Sequence, residues 1–199
     1  MARGYPDWSS PIGHIRAGMS GLELALILLK MPVTSSLHGA NLITNPSFKD
    51  DLTGWILNTY SGVATMAIES FGVEGDKSLK ITSSTGADAW AQRKVTIAPS
   101  QRYAFLGFAC TQNLVKKDDT GFTCLGCREY DANDALLVQN DYGILLQDQD
   151  WAFYFGEFVS QATASYAMIE CCFSFQGQST GIVWWDNLRL SVCRKEPAD

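Results

Sequence analysis

Basic residues are scarce in this sequence of 199 residues, in which 15 lysines and arginines stand against 21 aspartates and glutamates and the formal net charge is -6. No run of basic residues occurs. This argues against a nucleic-acid or anionic-membrane surface, because both need clustered positive charge. Histidine is scarcer still, with only His14 and His38. No paired-carboxylate or nucleophile-base spacing is present either, so we predict a protein that is not an enzyme.

Long apolar runs are also missing. Ser20 and Glu23 form a capping box and Pro32 follows, which predicts one short helix at about 20–31. Its residues rise only about 16 Å, roughly half the thickness of a bilayer core, so we expect no membrane span. The helix is apolar on nearly every side and must be surrounded. We expect it to pack on another subunit, or alternatively on its own domain. The residues predicted to make this contact are Leu24, Ile27 and Leu28.

The first 19 residues have too many breakers for a helix and too many aromatics for an inert tail. Pro6, Asp7 and Pro11 interrupt any secretory signal, so we expect this stretch to be retained. The prolines keep it extended, and its aromatic side chains are suited to anchoring. We therefore predict an N-terminal anchoring arm and short helix over 1–40. The arm residues predicted to bind a partner are Tyr5, Pro6, Asp7, Trp8 and Ile12.

From Asn41 onward, short apolar runs alternate with turn residues, which is typical of an antiparallel sandwich. We predict an all-β domain over 41–199, built as a two-sheet β-sandwich. The predicted strands are 55–58, 64–70, 78–83, 91–97, 102–111, 121–130, 143–147, 151–160, 165–175 and 182–192.

The six cysteines sit within apolar runs, which predicts reduced, buried thiols. Cys124 and Cys127 have the spacing of half a zinc site or of a redox pair. A second such pair is absent, so a cytosolic redox or regulatory protein is the least favoured class of function.

Three motifs make the β region resemble the galactose-binding-like jelly rolls of carbohydrate-binding modules. They are NLITNPSFKDDLTGW at 41–55, GDKSLKIT at 75–82 and VWWDNLRLS at 183–191. The resemblance implies a jelly-roll β-sandwich and, with it, a glycan-binding face. We expect Phe48 and Trp55 to fill the core where the first strand turns over the sandwich.

A bound sugar would stack on a flat aromatic face and use a few polar side chains. Alternation along the last strand places Leu188 and Leu190 inward, and its backward extension predicts Trp184 inward and Trp185 outward. The candidate stacking residues are Tyr60, Trp90, Trp151 and Trp185. The polar side chains that could accompany them are Asn58, Gln92 and Asp141.

Jelly rolls of this kind often hold a structural calcium ion between the first and last strands. By this resemblance the candidate ligands are Asp186 and Asp50, with Asp51 as an alternative to Asp50. Lys49 stands where the family usually has an acid, which removes one ligand and adds repulsion. No other cofactor is expected.

The stretch Gly4 to Trp8, followed by a short helix and a β-sandwich, also resembles the N-terminal region of some tailed-bacteriophage virion proteins. The resemblance implies a structural virion protein, assembled in the host cytoplasm as a capsid decoration or tail component. Its partners would be a major capsid or tail protein, sister subunits and a glycan. The alternative is a stand-alone carbohydrate-binding module of a polysaccharide-active system.

Overall fold

The computed structural model describes residues 39–73, 76–118, 120–145 and 147–193. The predicted arm and helix lie outside these residues. Within the described part every regular element is a strand, and no helix there could span a membrane. The strands are β1 (Ile56–Gly62), β2 (Thr65–Glu69), β3 (Ser78–Thr96), β4 (Arg102–Lys116), β5 (Thr123–Tyr130), β6 (Leu136–Leu145), β7 (Gln149–Val159) and β8 (Tyr166–Val192).

Two long antiparallel strands, β3 and β8, connect the two layers of the sandwich. They pair from Leu79 opposite Trp185 to Thr96 opposite Tyr166. The first layer contains β2, the start of β3, the end of β8, β4 and β7. The second layer contains β1, the end of β3, the start of β8, β5 and β6. The two layers pack face to face, as the rings of Phe105 in β4 and Tyr142 in β6 show by their 6.0 Å separation.

Each long strand was predicted as two short ones, and this part of the prediction was wrong. The runs 78–83 and 91–97 belong to β3, and the runs 165–175 and 182–192 belong to β8. In the sequence, glycine and polar residues separate the two runs of each long strand. In β3 the pairing register with β8 shifts within this segment, between Ser83 and Trp90. Gly86 adopts φ 105° and Gly181 φ 121°, a backbone conformation that favours glycine. Such irregularities bend a strand without ending it, so both strands continue from one layer into the other.

The core confirms the roles predicted for Phe48 and Trp55. Phe48 is fully buried and Trp55 is 5% exposed, and their ring centroids lie 5.3 Å apart. The Trp55 Nε1–H donates to the Asn45 carbonyl. All six cysteine side chains are buried, and Cys171 and Cys172 point to opposite faces of β8. The jelly-roll sandwich inferred from the sequence is therefore the observed fold.

The orientation predicted for the two tryptophans of β8 is wrong. Trp185 is fully buried in the core, whereas Trp184 points to the outer face. The cause is an irregularity at Asn187, which has φ 48° and lies where the register between β4 and β8 shifts. One extra residue there reverses the alternation, so parity counted back from Leu188 fails. Trp185 is thus excluded as a sugar-stacking residue.

We expect Trp55→Ala to lower the free energy of unfolding by about 3–5 kcal/mol, because it removes a buried indole and leaves a cavity. Urea unfolding followed by circular dichroism measures this. Ile56→Ala is the matched control, since the neighbouring Ile56 is 61% exposed and its truncation should change stability by less than about 0.5 kcal/mol. Equal effects of the two substitutions would contradict the core position of Trp55.

Candidate functional site

The outer side of the second layer carries many polar side chains. Residues that lie directly opposite each other in an antiparallel pair share one face of the sheet. Such opposed pairs are Asn58–Trp90, Gln92–Glu170 and Arg128–Gln139. We call this surface the polar face. Its residues are Asn58, Asp88, Trp90, Gln92, Arg128, Gln139, Asp141 and Glu170.

A buried ion pair lies at the centre of the polar face. Arg128 of β5 pairs with Glu170 of β8, and their side chains are only 8% and 3% exposed. The guanidinium also stacks between two rings, 4.6 Å from the centroid of Phe175 and 5.7 Å from that of Trp90. Buried charges are tolerated when they are paired and hydrogen-bonded. The pair therefore holds both aromatic rings in fixed positions and leaves little unbalanced charge beneath them.

A chain of hydrogen bonds continues from Arg128 to the edge strand β6. Arg128 Nε donates to Gln139 Oε1 at 3.3 Å, and Gln139 Nε2 donates to Asp141 Oδ2 at 2.8 Å. The Cys124 thiol donates to Asp141 Oδ1 at 3.7 Å. A hydrogen bond with the Cys172 thiol, and burial after it, raise the pKa of Cys124 well above its ordinary value. The Cys124 thiol is thus protonated near neutral pH and acts as a donor that orients the carboxylate.

Two polar atoms of this face are buried without a hydrogen-bond partner in the part of the chain that the structure describes. They are the donor Asn58 Nδ2 and the acceptor Asp88 Oδ1. Asn58 lies opposite Trp90 on β1, and Asp88 precedes Trp90 by two residues on β3. An unpaired buried polar group costs about 1–3 kcal/mol. Both atoms lie beneath the surface of the polar face, so the folded protein itself carries this cost.

Burial raises the pKa of the Asp88 carboxyl to about 6. The Gln176 backbone N–H and the positive charge of Arg128 act in the opposite direction, and Asp118 raises the pKa further. Asp88 therefore changes charge close to neutral pH. Above this pH it is a buried anion and below it a neutral donor.

The structure brings together four of the residues predicted for sugar binding and separates the others. Trp90, half-buried, shares the polar face with Asn58, Gln92 and Asp141. The indole Nε1–H of Trp90 donates to Gln92 Oε1 at 3.1 Å.

Tyr60 and Trp151 are not part of this group of opposed residues, although Tyr60 follows Asn58 by only two residues on β1. Tyr60 is 82% exposed at an irregularity of the edge strand β1. Trp151 lies on β7 of the first layer, where its ring packs against Phe71. The partner residues predicted in the arm and helix, from Tyr5 to Leu28, lie outside the described residues.

Sequence reasoning missed Arg128, Glu170 and Asp88. Each is a single charged residue within a strand, a pattern that more often marks a solvated surface. Successive residues of a strand point to opposite sides of the sheet. Because Ile169 and Cys171 point into the core, Glu170 and Cys172 must share the outer side. The contact between Arg128 and Glu170 joins residues that are far apart in the sequence, so it depends on the pairing of β5 with β8.

The two candidate calcium ligands have different environments. Asp186 is 2% exposed, and its Oδ2 accepts from the Val73 backbone N–H at 2.9 Å while Oδ1 accepts from that of Asn187. Asp50 is exposed. Lys49 forms an ion pair with Asp76 at 3.3 Å. Among the described residues, no three histidine, cysteine or acidic side chains are grouped so that they could hold a metal ion.

The fold is similar to that of several solved structures, among them a phage tailspike domain and carbohydrate-binding modules. No protein-family profile and no curated protein matches the chain. The enzymatically active domain of tailspike protein 4 from bacteriophage CBA120 superposes with a TM-score of 0.60 at 16% identity, over 76% of this chain and 21% of that chain. The chain thus spans about a fifth of the tailspike structure.

Xylan-binding and related modules match over nearly their full length. The CBM22-1 xylan-binding domain of Paenibacillus barcinonensis Xyn10C has a TM-score of 0.56 at 16% identity, over 79% of this chain and 97% of that chain. The C-terminal family 22 module of Clostridium thermocellum Xyn10B has a TM-score of 0.53 at 13% identity, over 85% and 100%. At these identities the likeness establishes the fold and leaves the ligand open.

The raised pKa of Asp88 predicts a pH-dependent effect on stability. Between the pKa of an unfolded aspartate, about 4, and the folded value of about 6, the folded state binds more protons. Stability contributed by the protonated form is therefore lost as the pH rises through this window. We expect Asp88→Asn to be more stable than the wild type by about 1–3 kcal/mol at pH 8, and the difference to shrink as the pH falls from 6 to 4.

Urea unfolding at pH 4, 6 and 8 measures this dependence. Asp131→Asn is the control of opposite sign, because the backbone N–H groups of Ala135 and Asn133 lower the pKa of Asp131. That substitution should reduce stability at pH 8 and have less effect at low pH. A difference between Asp88→Asn and the wild type that stays constant from pH 4 to pH 8 would rule out the buried, proton-binding Asp88.

Proposed function

We propose that this chain is a glycan-binding module and that the polar face binds a neutral polysaccharide. The observation that carries the proposal is the half-buried Trp90 indole, held by the Arg128 guanidinium and hydrogen-bonded to Gln92, on a face that also carries Asp141. A pyranose presents a flat face of C–H groups and a rim of hydroxyls, each of which both donates and accepts. Such a ligand suits an aromatic platform surrounded by amides and carboxylates.

The charges of the polar face disfavour an anionic ligand. Glu170 neutralises Arg128, so the cation is not available to a carboxylate or sulfate on a sugar. The other acidic residues there, Asp88 and Asp141, would repel an anionic polysaccharide. Their oxygens remain good acceptors for sugar hydroxyls. The polar face should therefore discriminate against uronic-acid and sulfated polymers.

The structural neighbours support this proposal and suggest a first ligand to test. One of them is described as a xylan-binding domain, and xylan has an uncharged backbone. The shared fold does not transfer that specificity, so xylan is one probe among neutral glycans.

A place on a bacteriophage particle is a second part of the proposal. The sequence resemblance of the arm and the likeness to a phage tailspike domain favour it. In this proposal residues 1–40 attach the chain to a capsid or tail protein and to sister subunits, and the sandwich displays the polar face for adhesion to glycans. The alternative, a module of a polysaccharide-active system, uses the same polar face on a different carrier.

Trp90→Ala should weaken glycan binding at least tenfold in Kd, about 1.4 kcal/mol, because it removes the stacking platform. An array of neutral and acidic glycans identifies the best ligand, with xylohexaose as the first probe, and titration calorimetry then compares the variants. Trp90→Phe should retain most of the affinity. Phe153→Ala is the control, since Phe153 is a partly exposed aromatic residue on β7 of the first layer. Unchanged affinity in Trp90→Ala, or a preference for acidic glycans, would refute the proposed site.

Deletion of residues 1–31 should leave the sandwich soluble and folded but abolish incorporation of the protein into bacteriophage particles. Circular dichroism and thermal melting test the fold of the truncated chain, and immunoblots of purified particles test incorporation. If the truncated chain fails to fold, the first 31 residues belong to the domain. If it is incorporated normally, the attachment lies elsewhere.

A further inference from the structure

A second candidate site lies on the first layer, away from the polar face. It is a cavity of about 580 Å³, within the range of roughly 300–1,000 Å³ that is common for small-molecule sites. The cavity lies where β4, β7 and β8 meet Phe71, which follows β2. Its lining residues are Phe71, Cys110, Thr111, Gln112, Asp148, Gln149, Asp150 and Trp184.

Two aromatic residues form the apolar part of this cavity. The Trp184 indole Nε1–H donates to Glu69 Oε2 at 2.7 Å, which fixes the ring. Phe71 packs edge-on against Trp184 with a centroid distance of 5.0 Å, and Trp151 lies 5.6 Å from Phe71 on another side. Phe71 nevertheless remains 42% exposed. The ring is therefore fixed by its neighbours and still accessible to a ligand.

The polar part of the cavity is also held in place. Asp148 Oδ1 accepts from the Leu114 backbone N–H at 2.7 Å. Gln149 Nε2 donates to the Tyr154 hydroxyl, and the Thr111 hydroxyl donates to the Gln147 carbonyl. These contacts restrain the side chains before any ligand arrives, which lowers the entropic cost of binding.

The cavity is negatively charged. Asp148 and Asp150 line it, and none of the described lining residues is lysine, arginine or histidine. The nearby Lys80 is paired with Glu69 at 3.1 Å. The effect of this charge is visible at Cys110, where burial, followed by the negative charges of Asp150 and Asp148, raises the thiol pKa to about 11. A cation placed in the cavity would offset the acidic charge.

We propose that this cavity binds a sugar residue carrying a protonated amine, a hexosamine unit of a glycan. The ammonium group would pair with Asp150 and Asp148, the ring would contact Phe71, and the hydroxyls would bond to Gln112 and Gln149. Aromatic rings attract both C–H groups and cations. Phe71 therefore suits both the C–H groups of the sugar ring and its ammonium group. A neutral sugar lacks the charge contact, and a uronic acid is repelled. The protein would then carry two glycan sites of different charge preference, one on each layer.

Titration calorimetry of the full chain at pH 6 and low salt tests the proposal with three trisaccharides. They are the β-1,4-linked trisaccharide of glucosamine, the same trisaccharide in its N-acetylated form, and the trisaccharide of galacturonate. We expect the glucosamine trisaccharide to bind about tenfold more tightly than the N-acetylated form, from two exposed charge pairs, and galacturonate not to bind. The preference should fall as salt is added, because these carboxylates are exposed.

Two substitutions connect this binding to the cavity. Asp150→Asn should remove most of the preference for the amine, and Phe71→Ala should weaken binding of the amine and N-acetylated trisaccharides alike. Asp50→Asn is the matched control, an exposed aspartate in a distant stretch of sequence. Trp90→Ala should leave glucosamine binding unchanged, so failure of this site is distinguishable from failure of the polar face. Equal affinity for the amine and N-acetylated forms, no binding at all, or no effect of Asp150→Asn would overturn the proposal.

Discussion

The antiparallel pairing of β3 with β8 is the interaction on which the rest of the structure depends. It runs from Leu79 and Trp185 in one layer to Thr96 and Tyr166 in the other. Both strands bend where glycines adopt positive φ angles. The single ladder of residue pairs between β3 and β8 therefore continues from one sheet into the other. The ladder thereby sets which residues of β4, β5 and their neighbours can meet, since both layers are built outward from these two strands.

The same ladder produces two chemically different surfaces. In the second layer it places Trp90 and Glu170 on one face, where Glu170 neutralises the arginine that the indole stacks upon. In the first layer it places Trp184 beside two aspartates without a matching cation among the described lining residues. The polar face holds a paired guanidinium among its carboxylates, whereas no cation is among the described residues that line the cavity. Their predicted ligands differ for this reason, although both surfaces combine aromatic rings with amides and carboxylates.

The polar face contains both a satisfied ion pair and unpaired polar atoms. Removing Arg128 or Glu170 alone would leave a buried, uncompensated charge, which is far less favourable than the pair. Asn58 Nδ2 and Asp88 Oδ1 have the opposite character, because each is a buried polar atom without a hydrogen-bond partner among the described residues and so costs stability. The face thus combines a satisfied network that holds the aromatic platform with two unsatisfied atoms beside it.

Local pattern was sufficient for much of the fold. Short apolar runs and turn residues identified a sandwich, and the motif around Phe48 and Trp55 located both in the core. Trp90, Asn58, Gln92 and Asp141 were also recognised individually as residues suited to a sugar.

Pairing between strands that are far apart in the sequence determined which residues share a face, which local patterns could not predict. Alternation assigns a face only until a strand bulges, and because of the irregularity at Asn187 it is Trp185, not Trp184, that points into the core. The Arg128–Glu170 pair and the acidic cavity join residues from different strands, and no local pattern specifies which strands will be neighbours. The sequence by itself determined the class of fold and the residue types available for binding. The tertiary structure determined which of them share a surface, because register and bulges arise from the packing of the whole sandwich.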